Sequence, residues 1–283
     1  MEQNIKMNAP PLDMIKTISQ YEEKGYHLAK SVFTTDFCNE LKDYLDSLKP
    51  KVNIPFSNIP YGYGNLVDEG PFKKVTKNDI INKFCHTLLP GKKHRFNHLV
   101  INSKAPWIGG TTEWHQETFH IDTYGPGCTA KDYRNFMQIY IALDKHVVEN
   151  GCLKIVPSSH KEGELEFEDC IGNYTWGHKR RLSSKSMDLL HKKYSVENVL
   201  MEPGDILFFN HLLAHSSTSN LTHMPRRAIV LQASSIFEKN NDVFEEFNNF
   251  RVKFVVDYLS KIVKKLQDKN FYKDFNKDES KNK

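Results

Sequence analysis

The chain has 283 residues, enough to bury a substantial core, and its 39% apolar and 26% charged residues are those of a soluble globular protein. A net charge of +4, carried by dispersed lysines with no aromatic-interleaved basic motif, gives no ground for nucleic-acid binding. Five cysteines without Cys-x-x-Cys spacing indicate neither a disulfide framework nor a zinc knuckle and fit a reducing cytoplasm, and no apolar run has signal-peptide or membrane-spanning length.

Met14, Ile15, Ile18 and Tyr21 recur at helical spacing and Gly25 stands where a helix would stop, so residues 13–24 are predicted helical. Tyr26 to Phe33 reads as a strand, and Asp36 through Leu48 as a second helix, capped by Thr34 or Thr35 and ended by Pro50. Residues 50–72, rich in Pro, Gly, Asn and aromatics, predict a long irregular loop, and 78–89 a further helix. From Phe96 the texture changes to short apolar runs between turn residues: His98 to Ile101, Phe136 to Leu143, Cys152 to Val156, Asn198 to Leu200, Asp205 to Phe209 and Ala228 to Ser234. Short strands with turn signals argue for a β-sandwich or jelly roll rather than alternating β-α units. Residues 161–194 are polar and weakly periodic, an excursion carrying some helix. Phe250 to Leu266 reads as one amphipathic helix packed on the sheet, and the tail from Lys269 as a charged, disordered end. The expected organisation is a single domain over 1–283: helical and loop support in 1–94, a β core in 95–237, and a C-terminal helix and tail in 238–283.

Two stretches carry chemistry. Glu113 to Asp122 holds two His-x-acid pairs, His115 with Glu117 and His120 with Asp122. In an extended strand either pair would point an imidazole and a carboxylate to one side, but an unbroken strand cannot aim both pairs inward. The second stretch runs from Pro203-Gly204-Asp205, a turn, through Ile206 to Phe209, a buried strand, to His215, with Arg226 eleven residues beyond. One His-x-acid pair and a distant His make a two-His, one-carboxylate facial triad that leaves positions open on iron(II). An Arg beside it supplies a rigid fork for a carboxylate. An oxygenase using 2-oxoglutarate needs both. Arg227 should face the other way by strand alternation, towards solvent or a surface carboxylate.

Four stretches resemble the phytanoyl-CoA dioxygenase family of iron(II)- and 2-oxoglutarate-dependent oxygenases: Leu99 to Pro106, Trp114-His-Gln-Glu117, Glu149-Asn-Gly-Cys through Lys161, and Pro203 through Arg227. The resemblance implies a double-stranded β-helix core with flanking helices, an α+β chain overall. It implies His115, Glu117 and His215 as iron ligands and Arg226 as partner of the 2-oxoglutarate distal carboxylate, with Tyr140 and Ser217 lining the co-substrate pocket. Asn150-Gly151 becomes a turn and His160 a structural residue. Fe(II), 2-oxoglutarate and O2 would be the cofactor and co-substrates. The expected reaction is oxidation, typically hydroxylation, of a C–H bond in a small-molecule substrate, with 2-oxoglutarate split to succinate and CO2. The family usually has Asp two residues after the first His, whereas here it is Glu117, one methylene longer; this keeps His120 and Asp122 as the alternative pair, although the Trp-His-Gln context favours the first. A halogenase would carry a small residue at the carboxylate position, and a non-catalytic jelly roll would have no need of the triad and the Arg together. The basic run His178 to Arg181 suits an anionic substrate or plain solvation. No nucleic-acid or membrane partner is expected, and neither substrate nor oligomeric state follows from the residues.

Overall fold

The computed structural model describes residues 14–48, 66–89, 93–107, 110–118, 136–169 and 180–235. Chain contacts divide the molecule into residues 1–120 with 128–237, and residues 121–127 with 238–283; every described residue belongs to the first unit. The expected C-terminal helix, the 50–65 part of the loop, and His120 with Asp122 lie outside the described residues.

Helix α1 (Met14–Lys24) ends at Gly25, whose backbone is left-handed at φ 81°. Strand β1 spans only Tyr26–Ala29, shorter than expected, because the chain then turns through Ser31 in the left-handed region. Buried Asp205 accepts from the Ser31 amide at 2.8 Å and holds that turn. Helix α2 (Thr35–Ser47) starts where the Thr34 hydroxyl accepts from the Phe37 amide, and its buried stripe is Phe37, Cys38, Leu41 and Leu45. A 3-10 turn (Gly70–Phe72) and the short helix α3 (Lys73–Thr76) follow, then α4 (Asp79–Leu88), where Asn78 accepts from the Ile80 and Ile81 amides.

The remaining strands are β2 (His94–Lys104), β3 (Thr112–His115), β4 (Phe136–Ala142), β5 (Leu153–Ile155), β6 (Phe167–Asp169), β7 (Arg180–Leu182), β8 (Glu197–Val199), β9 (Ile206–Asn210), β10 (His215–Ser217) and β11 (Arg226–Ser235). Helix α5 (Ser184–Lys193), with Ser183 as its cap, lies in the 161–194 excursion, where β6 and β7 pair as a separate ribbon. A five-stranded sheet in the order β1-β9-β4-β11-β2 and a four-stranded sheet in the order β3-β10-β5-β8 make up the core. All their pairings are antiparallel.

Alternation sorts the larger sheet into two faces. Met137, Ile139, Ile141, Ile206, Phe208, Ile229 and Leu231 pack with the helices, and the Phe84 and Phe208 rings stack at 3.9 Å. Tyr140, Ala142, Leu207, Phe209 and Ala228 pack with Leu153, Ile155 and Val199 of the smaller sheet. The second face is therefore the inside of a two-sheet sandwich, and side chains on it converge from both sheets.

β2 is the largest departure from the sequence expectation. It extends well past 98–101 at both ends, because its inward positions include Asn102 and Lys104, polar residues that conceal a strand in any search for apolar alternation. Among the described residues no helix is long and apolar enough to cross a membrane.

The Pro203-Gly204-Asp205 turn joins β1's end to the sandwich. Gly204 sits at φ 90°, its carbonyl accepts from the Val32 and Phe33 amides, and a Cβ there would lie 2.0 Å from the Phe33 oxygen. Gly204→Ala is expected to cost more than about 1 kcal/mol, read as a lower urea midpoint at unchanged slope.

Candidate active site

β3 and β10 run antiparallel with His115 directly opposite His215, and the imidazole centroids are 4.0 Å apart. Each ring sets its Nδ1 on a carbonyl two residues earlier, His115 on Glu113 at 2.7 Å and His215 on Leu213 at 2.9 Å. A carbonyl only accepts, so Nδ1 carries the proton in both rings and both Nε2 lone pairs are left for a metal.

Glu117 is not on the strand. β3 ends at His115, and a turn held by the Glu117 amide donating to the His211 carbonyl at 2.9 Å brings the carboxylate back. Glu117 Oε1 then lies 3.8 Å from His115 Nε2 and 3.3 Å from His215 Nε2. The extra methylene, read from the sequence as a strain on reach, is what lets a residue in a turn reach the two rings. Cis ligands at roughly 2.1 Å from one ion stand about 3 Å apart, so this trio suits one divalent ion. Among the described residues it is the one group of three or more potential ligands, with donor atoms all within 4.8 Å.

Between the two ligands, fully buried Gln116 is tied down on three sides. Its Nε2 donates to the Gly163 and Leu212 carbonyls at 2.8 Å, and its Oε1 accepts from the Leu165 amide at 2.9 Å. Gln116 thereby fixes the ligand-bearing segment to both the start of the excursion and the β9–β10 loop.

Arg226 opens β11 and is buried on the inward face. Its terminal nitrogens donate to the Gly151 carbonyl at 2.9 Å and to Asn102 Oδ1 at 2.7 Å. The buried hydroxyl of Tyr140 lies beside it, close enough to interact with the guanidinium. Gly151 belongs to the expected Asn150-Gly151 turn, closed by the Asn150 side chain accepting from Val147 and donating to Lys145. Ser217 is buried on β10, two residues along from His215 and so on the same face. Arg227 faces outward and pairs with Asp144 at 2.9 Å.

Lys104 was not anticipated. It is the cross-strand partner of Arg226, nearly as buried, and donates to the Gly110 carbonyl. Burial and the neighbouring Arg226 push its pKa down to about 6. Among the described residues neither cation has a carboxylate within ion-pair distance. Holding both groups charged without a counter-ion is costly, and an anion bound between them would offset that cost and favour the protonated lysine. Sequence offered one signal, a lysine in the stretch of family resemblance ending at Pro106. His146 is buried; its Nε2 donates to the Arg227 carbonyl at 3.3 Å, while its Nδ1 has no partner among the described residues. Burial and then Arg226 push its pKa to about 3, so it adds no charge here.

The phytanoyl-CoA dioxygenase (PhyH) family model matches residues 21–228, most of the chain, and the match includes His115, Glu117, His215 and Arg226. The chain belongs to this family. Among curated PhyH-like relatives, a dioxygenase lolE1 of Epichloe uncinata is 38% identical over 94 residues, 33% of this chain and 31% of its own length. A methylphosphonate hydroxylase of Gimesia maris is 34% identical over 116 residues, 40% of this chain and 38% of its own. The matched stretches thus span about a third of these two relatives. The crystal structure of EctD from S. alaskensis with 2-oxoglutarate and 5-hydroxyectoine superposes with a TM-score of 0.61 at 16% identity, covering 83% of this chain and 82% of that one. The fold of this PhyH member is the double-stranded β-helix.

Glu117→Ala is expected to weaken Fe(II) binding by more than about 100-fold in equilibrium dialysis, and Asp122→Ala to leave it intact; the reverse would move the carboxylate ligand to Asp122. Lys104 gives a pH signature. Between about 6 and the ordinary lysine range, the unfolded chain holds a proton that the folded chain has released, so Lys104 makes stability rise with pH across that window. Denaturation midpoints of wild type minus Lys104→Met should trace that slope in metal-free protein.

Proposed function

We propose that this chain is an Fe(II)- and 2-oxoglutarate-dependent oxygenase that hydroxylates a C–H bond of a small molecule. The observation that carries the reading is the presence, on the two inner faces of the sandwich, of a two-His, one-carboxylate trio and of an Arg–Lys pair with no acidic partner among the described residues. His115, Glu117 and His215 would hold the iron. Arg226 would take the distal carboxylate of 2-oxoglutarate, with the Tyr140 hydroxyl and Lys104 completing the anion cradle and Ser217 lining its wall. When bound, iron and 2-oxoglutarate supply oxidising power from O2, with 2-oxoglutarate leaving as succinate and CO2.

The residues around the site act by position and by charge. The Nδ1–H bonds to Glu113 and Leu213 hold both imidazoles in the ligating tautomer. Arg226 is fixed by Gly151 and Asn102, so its fork is oriented before the dicarboxylate arrives. Apolar Leu207, Val230 and Ala228 beside Tyr140 exclude water from the space between cradle and metal trio. Of the basic run His178 to Arg181, Arg181 pairs with Glu168 at 2.8 Å, and residues 178 and 179 lie outside the described residues. We further read 1–283 as one oxygenase domain.

Anaerobic addition of Fe(II) and 2-oxoglutarate should produce a visible metal-to-ligand charge-transfer band that His215→Ala abolishes. Arg226→Met should keep Fe(II) binding yet weaken 2-oxoglutarate by about 10- to 100-fold, the loss expected for a charge-assisted hydrogen bond, measured by titrating the band. A wild-type protein with no such band would refute the assignment.

A further inference from the structure

The register of the larger sheet arranges its inward face in cross-strand rows. Starting at the cradle, Arg226 pairs with Lys104; then come Ala142, Ala228 and Asn102, and after them Leu207, Tyr140, Val230 and Val100. The next row is Phe209, Gln138, Gln232 and His98, and the following one includes Phe136, Ser234 and Arg95. The Phe209 ring stands 5.0 Å from the ring of His215, which places the Phe209–Gln138–Gln232 row at the level of the metal trio. At this level the inward face changes character, from aliphatic to amide and hydroxyl.

Part of that polar row is already occupied. The β2 strand carries an extra residue opposite Gln232 and Ala233, and from this bulge Asn97 donates to Gln232 Oε1 at 3.1 Å and accepts from the Ser234 hydroxyl at 3.1 Å. Gln138 differs. It is 2% exposed, and its Oε1 is fully buried with no hydrogen-bond partner among the described residues. An orphaned buried acceptor costs about 1–3 kcal/mol, and a Leu or Met of similar length would avoid that cost in a wall that already contains Phe209. The fold gains nothing from this amide, whereas a ligand bound beside the metal trio would.

We propose that Gln138 is a specificity-determining residue whose carbonyl accepts a hydrogen bond from an N–H or O–H of the substrate. The substrate is then a small, hydrogen-bonding metabolite and not a long acyl chain. An acyl chain laid against this row would leave the Gln138 acceptor unsatisfied, whereas a site built to hydrogen-bond a donor rejects an analogue lacking it. The inference rests on the iron-site reading, and the experiment separates the two.

Gln138→Leu and Gln138→Met are made in the full chain and compared with wild type in three measurements. Metal-free thermal melting should show both variants as stable as wild type or more so; a fall of several degrees in both would mean that the fold uses the amide, and would overturn the inference. The Fe(II)–2-oxoglutarate charge-transfer band should persist in both variants; its absence from wild type would remove the iron-site reading instead. Succinate formation is then followed with common amino acids, amino-acid-derived zwitterions and hexoses, against palmitoyl-CoA. A member of the polar panel should stimulate turnover in wild type, with KM raised at least about tenfold in Gln138→Leu and 2-oxoglutarate affinity unchanged. Stimulation by palmitoyl-CoA, by no polar member, or equally in Gln138→Leu overturns the proposal while the band stands.

Discussion

The antiparallel pairing that sets His115 opposite His215 is the constraint on which the site depends. It places two imidazoles 4.0 Å apart from segments a hundred residues distant in sequence, and it needs no side-chain contact to do so. The rings are then oriented by backbone carbonyls two residues earlier, on β3 for His115 and in the β9–β10 loop for His215. Because the strand that carries the first histidine stops there, the third ligand atom comes from a turn, and the turn is anchored to the His211 carbonyl on the segment leading to the second histidine. Backbone geometry thus fixes all three positions before any ion is present, the preorganisation that a metal centre requires.

On the inward face of the other, larger sheet the fold accepts an electrostatic cost. Arg226 and Lys104 are neighbours in register, both buried, with carbonyl and amide oxygens as their partners. Neutral acceptors offset part of the desolvation of a guanidinium, and the lysine meets the remainder by giving up its proton more readily. Supplying an internal carboxylate would stabilise the empty protein and block the cradle. The helices on the opposite face, with Phe84 stacked on Phe208 and the α2 stripe over the sheet, contribute the apolar burial against which such a cost is tolerated.

Much of this was legible in the sequence, where local rules act alone. Thr34 and the Gly25 stop marked helix ends, Asn150-Gly151 and Pro203-Gly204-Asp205 marked turns, and the outward direction of Arg227 followed from alternation. The trio itself came from residue types and family-like spacing. What was hidden depends on partners distant in sequence. β2 carries its polar residues inward, so an apolar alternation test found only its middle, and Lys104 resembled any surface lysine until its pairing with Arg226 was known. The strand-parity argument for the two His-x-acid pairs assumed that β3 continued; it ends at His115, so Glu117 is placed by a turn that periodicity does not describe. Gln138 sits in a run that is buried throughout, and only the sheet register shows that it faces the metal trio.

Gln116 has a further consequence for how this scaffold can diversify. Its side chain ties the residue between two candidate ligands to Gly163 and Leu165, the first residues of the excursion that leaves the smaller sheet. Any drift in that opening segment is transmitted directly to the spacing of His115 and Glu117. Beyond Leu165 the chain runs into the β6–β7 ribbon, which is paired with itself and not with either core sheet. The ribbon is nonetheless no free appendage: β7 packs against β3, and Leu182 shares an apolar cluster with Trp114 and Val156. Both halves of the excursion therefore bear on the segment from Trp114 to Glu117, the opening residues through Gln116 and the ribbon through the strand that ends at His115.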